Sequence, residues 1–105
     1  MPDSLTMAPD TLASGTIALG DAPVGTRGRI IALYVNRALG AGLPPAELER
    51  RLIELGFVEG ATVELIHEGL FGRDPIAVRI ADTTIALRRR EAMAIVVEAG
   101  KEAGP

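Results

Sequence analysis

The chain has 105 residues, no cysteine, a single histidine and a formal net charge of −3. That length suits one domain, the absence of cysteine excludes disulfides and thiolate metal sites, and the acidic balance argues against general nucleic-acid binding, which needs a basic footprint. No apolar run reaches the roughly 18 residues of a membrane helix and Met1–Leu5 lacks the regions of a secretory signal, so the sequence reads as soluble, intracellular and not membrane-embedded.

Residues 1–16 are small, polar and without period, and are expected to form a flexible tail. With aromatics at 3% of the sequence, Ile, Val, Leu and Ala must fill the core. Pro23 and Gly25 lead into a first strand predicted over about Thr26–Tyr34, apolar on both faces and therefore well buried. Val35–Leu43, with Gly40 and Gly42, reads as a connection.

A helix is predicted over about residues 44–56. Pro44 and Pro45 suit its first turn, where a missing N–H costs nothing. Leu48, Leu52 and Leu55 recur at i, i+4 and i+7 on one stripe, while Glu47–Arg51 and Arg50–Glu54 are spaced to pair on the wet face. Gly56 is placed to end it in the left-handed conformation.

Beyond Gly60 the period changes to two. Val63, Leu65 and His67 alternate with Thr62, Glu64 and Ile66. Ile76, Val78 and Ile80 alternate with Ala77 and Arg79, and after a turn at Asp82 the stretch Thr83–Arg88 points Ile85 and Leu87 inward. Arg89–Met93 fits one helical turn, and Ala94–Glu98 a last strand. Five short strands with one inserted helix predict a mainly β fold, a small closed or nearly closed barrel over residues 17–99, with a frayed end over 100–105.

Chemistry-bearing constellations are sparse. His67 has Glu64 and Glu68 nearby in sequence, but on a strand both carboxylates face away from the imidazole, and a tight divalent site needs three or four converging ligands. A solvated strand-end histidine is the preferred reading. Arg88-Arg89-Arg90 is followed at once by Glu91 and reads as a solvated group of charges. Phe71-Gly72-Arg73-Asp74-Pro75 lacks the spacing of a phosphate loop. It reads as a turn in which Gly72 takes positive φ, Asp74 bonds to nearby backbone and Pro75 fixes the next strand's entry; Phe71 is either a plug for the barrel end or an exposed contact. No nucleophile stands beside a plausible base, so no enzymatic activity is expected.

In order and spacing, several stretches resemble the FeoA family, small cytosolic proteins of bacterial ferrous-iron uptake. They are Leu19-Gly20-Asp21-Ala22-Pro23-Val24-Gly25, then Arg50-Arg51-Leu52-Ile53-Glu54-Leu55-Gly56-Phe57-Val58-Glu59-Gly60, then Phe71–Pro75, then Ile85-Ala86-Leu87-Arg88-Arg89 with Glu91-Ala92. Ala22 stands where the family often has Leu, and Arg73 interrupts its usual Gly-Asp-Pro. The resemblance implies an SH3-like five-stranded barrel, a cytoplasmic location and a non-catalytic role docking on the cytosolic GTPase region of the FeoB transporter. The contact residues expected on that basis are Gly56, Phe57 and Gly60 in one turn, and Phe71, Arg73 and Asp74 in another. No cofactor is required; Fe2+ or another divalent metal stays open, without a ligand cluster to support it. The alternative is a metal-responsive regulatory barrel resembling the C-terminal domain of iron-dependent repressors, although only about sixteen residues precede the barrel where those regulators carry a winged helix-turn-helix.

Overall fold

The computed structural model describes residues 15–38, 40 and 42–100. Its elements are β1 (Thr16–Ala18), β2 (Arg27–Leu33), α1 (Pro45–Glu54), β3 (Thr62–Glu68), β4 (Ile76–Ile80), β5 (Thr83–Leu87), the single turn α2 (Arg89–Ala92) and β6 (Ile95–Ala99). Short 3-10 turns follow β1 at Leu19–Asp21 and β2 at Val35–Ala38.

The strands form one antiparallel sheet in the order β1-β6-β2-β3-β4-β5. Strands from end to end of that order feed one core: Ile30, Val63, Leu65, Ile76, Val78, Leu87, Ile95 and Val97 all belong to it, with Ile17 packed against it. A sheet whose two ends share one interior must curl, and register shifts in β2 between Ile30 and Ala32 and in β3 between Leu65 and His67 supply the bends. β1 and β5 do not pair. Instead α2 packs on the 3-10 turn after β1.

The expected barrel is present with one strand more than expected. Thr16–Ala18 joins the sheet by pairing with β6, Thr16 opposite Glu98 and Ala18 opposite Val96. Thr16, expected within a tail over residues 1–16, is therefore a strand residue, and residues 1–14 lie outside the described residues. At the other end Gly100 donates its N–H to the Arg27 carbonyl at 2.7 Å, so fraying does not begin there; residues 101–105 lie outside the described residues.

α1 closes the barrel's interior with Leu48 and Leu52, both fully buried, and leaves Leu55 half-buried. Its end is a Schellman motif: Gly56 at φ 105° donates to the Ile53 carbonyl at 3.0 Å, and Phe57 donates to the Leu52 carbonyl at 2.9 Å. Arg51, expected to pair along its own helix, reaches instead to Glu91 on α2, Nη1 to Oε2 at 3.0 Å. The bulge in β3 changes its facing, so Leu65 is buried while His67 is exposed.

Candidate docking site

The β3–β4 connection, residues 69–75, is built so that two large apolar side chains stand in water. Leu70 is 93% exposed and Phe71 89%. The base of the loop is closed by the Gly69 N–H donating to the Pro75 carbonyl at 2.8 Å. A Cβ on Gly69 would meet the Asp74 carbonyl oxygen at 2.1 Å, so only glycine allows this approach. Gly72 and Arg73 both adopt left-handed backbone, φ 72° and 60°, and the Asp74–Pro75 peptide is cis. The resulting arch turns Leu70 and Phe71 away from the core. Of the two readings open for Phe71, the exposed one describes its position.

The arch is tied down from below. Asp74 Oδ1 accepts the backbone N–H of Arg89 at 2.8 Å, serving the first residue of α2. The Arg89 guanidinium donates from Nε to the Arg73 carbonyl at 2.7 Å and from Nη2 to Glu68 Oε1 at 2.7 Å. Its Nη1 donates to the Ala22 carbonyl at 2.7 Å and the Gly20 carbonyl at 3.3 Å. Arg73 Nε adds a 3.2 Å contact to the same Glu68 oxygen. One planar cation thus joins the turn after β1, the end of β3 and the arch, with acceptors matched to its fixed fork of donors.

These contacts revise the expected roles. Arg89 is not a solvated member of its triplet; its side chain is 14% exposed and its charge is turned inward, while Arg88 and Arg90 remain exposed. Asp74 does bond to backbone, but to a residue fifteen positions on rather than to its own turn. Phe57, expected as a contact, is 0% exposed and among the largest wholly buried side chains. It occupies the position after the helix-ending glycine, which characteristically packs back on the helix. Gly56 and Gly60 lie at the surface end of that second turn, where the Gly60 N–H bonds the Ile30 carbonyl at 2.8 Å. The two expected turns sit at opposite ends of β4: Gly56 lies against Ile80 at its end, whereas the arch precedes Ile76 at its start, about 13 Å away along the strand.

Leu70 escaped sequence reasoning, although two apolar residues between Gly69 and Gly72 at a strand end carry a readable signal. Arg89 carried none, since nothing local separates it from its two neighbours. A groove of about 490 Å³ beside Gly56 is lined by Leu55, Val63, Arg27, Arg79 and Thr83. There Glu64 Oε1 lies 3.8 Å from Arg27 Nη1 and 3.7 Å from Arg79 Nη1, so the charges of the groove answer each other. Among the described residues no group of three or more His, Cys, Asp or Glu could hold a metal ion, and no helix is long and apolar enough to cross a membrane.

Comparison with known proteins gives this architecture a family. A zinc-complexed crystal structure of FeoA from Stenotrophomonas maltophilia, described as a prokaryotic SH3 domain protein, superposes with a TM-score of 0.64 at 31% identity, covering 83% of this chain and 99% of that one. The solution structure of iron(II) transport protein A from Clostridium thermocellum gives 0.64 at 32% identity over 80% of this chain and 46% of that one. A manganese-dependent transcriptional repressor gives 0.64 at 18% identity, over 85% of this chain and 44% of that one, a likeness of fold alone. The Fe(2+) transport protein A/Fe(2+) transporter FeoB fusion protein of Porphyromonas gingivalis (strain ATCC BAA-308 / W83) is 41% identical over 49 residues, 47% of this chain but 6% of that much longer protein. The FeoA domain model matches residues 17–99, and the chain belongs to the FeoA family, its barrel being of the SH3-like kind.

Proposed function

We propose that this chain is a non-catalytic accessory protein of bacterial ferrous iron uptake that acts in the cytoplasm by docking on the GTPase region of a FeoB-type transporter. The observation that carries the proposal is the arch: Leu70 and Phe71 stand almost wholly in water on a loop fixed by Arg89 and Asp74. Exposed large apolar side chains on a rigid support are poised to bury their area in a partner, with little ordering cost left at binding. The P. gingivalis relative joins a FeoA and a FeoB in one polypeptide, which supports FeoB as that partner. Arg73 at the foot of the arch, 58% exposed, is a rim contact on this reading.

The test is calorimetric titration of a purified FeoB GTPase region with this chain. Phe71→Ala combined with Leu70→Ala is expected to weaken binding by about thirtyfold or more, since each loss removes about one to two kcal/mol of the kind a buried anchor supplies, and to leave the melting temperature unchanged. Equal affinity for the double variant would remove the arch from the interface. Docking needs no metal on this reading, so a chelator should leave the affinity as it was; a loss of binding on chelation would show that an ion takes part.

A further inference from the structure

β5 ends the sheet order and pairs with β4 alone. It lacks the devices that protect such edges: Thr83-Thr84-Ile85-Ala86-Leu87 holds no charge and no proline, and its register with β4 runs without a bulge. That register starts at Ile80 opposite Thr83 across the two-residue turn Ala81–Asp82. The backbone groups of Thr83, Ile85 and Leu87 therefore turn toward β4, and those of Thr84 and Ala86 turn outward. The side chains of Thr84 and Ala86 are exposed, and Ile85 is half-buried at the margin of the core. The strand is bracketed by opposite charges, Asp82 before it and Arg88 after it, both exposed and neither in an ion pair among the described residues.

We propose that β5 is a self-association edge on which a second copy of this chain lays its own β5, antiparallel, about a two-fold axis at Ile85. Thr84 of each copy then stands opposite Ala86 of the other, and the outward N–H and C=O groups of these residues form four hydrogen bonds. Ile85 meets Ile85 on the core-facing side, covering what each copy leaves half open. The same register brings Asp82 of each copy opposite Arg88 of the other, so the bracketing charges are self-complementary. Parallel pairing would set like charges side by side. This surface is separate from the Leu70–Phe71 arch and does not depend on what the arch binds. The contact is small, so the dimer is weak and concentration-dependent.

Sedimentation equilibrium of the full chain from micromolar to millimolar concentration tests this. The apparent mass should rise toward twice the monomer mass. Asp82→Arg should stay monomeric at the same concentrations, because each copy then presents two cations to two cations. Adding Arg88→Asp should restore the dimer, and an Asp at the N-cap of α2 is well suited to its helix. Ala86→Pro should be monomeric with an unchanged far-ultraviolet circular dichroism spectrum, because the N–H it removes faces away from β4. A wild-type chain that is monomeric throughout would overturn the proposal, as would an Asp82→Arg variant that dimerises as well as wild type or a charge swap that fails to restore association.

Discussion

The Arg89 guanidinium meets carbonyls of Gly20, Ala22 and Arg73 and the carboxylate of Glu68, all within 3.3 Å. A lysine in its place could satisfy one or two of these acceptors but not the fork, since an ammonium lacks the planar spread of donors. Arg89→Lys is expected to lower unfolding stability by about 1–3 kcal/mol, the cost of leaving partly buried acceptors unmet. The Gly69 amide, whose bond to Pro75 closes the arch, should exchange with solvent faster. Denaturant unfolding checks the first effect and amide exchange the second; a variant as stable as wild type would mean that Arg89 is dispensable to the tie. Gly28 presents a sharper constraint. Its Cβ would lie 2.3 Å from the Glu98 carbonyl oxygen in the neighbouring strand. Gly28→Ala must force β2 and β6 apart and should cost about 1–3 kcal/mol in a urea melt, on the scale of other overpacked sites.

At the scale of elements, α1 was the most legible part of the sequence. The spacing of Leu48, Leu52 and Leu55 and the glycine at 56 predicted its span to within two residues at each end, because helix period and cap chemistry are both local. Leu52→Ala should destabilise by about 2–5 kcal/mol, read as an earlier unfolding midpoint. Gly56→Ala should cost about 1–2 kcal/mol through its left-handed backbone alone. Period-two patterning likewise located β3, β4 and β5. What failed was non-local. β1 is three residues long, too short to show a period, and exists because β6 lies beside it some eighty positions later. The bulge after Leu65 reversed the facing of His67, which alternation alone had put on the side of Val63 and Leu65. Phe57 was misread because its apolar character fits a contact and a helix-end anchor equally, and only packing separates them. Half of the candidate site was readable as a turn containing Phe71; the cation that fixes it was not.

For the molecule as a whole, β6 is the strand on which the sheet leans. It pairs with β1 on one side and β2 on the other, and Ile95, Val96 and Val97 are all buried. Native-state hydrogen exchange should therefore find its slowest amides there and faster ones in β1 and β5, which have a single neighbour each. Uniform protection across the sheet would contradict that ranking. The position of β6 also has a bearing on biosynthesis. The segment that bridges β1 to β2 is the last of the domain's strands in chain order, so a nascent chain lacks both of those pairings until translation of the domain is nearly done. Until then β1 and the near edge of β2 are strands without a mate, open to wrong partners, and the domain can complete its sheet only when residues 95–99 have cleared the exit tunnel.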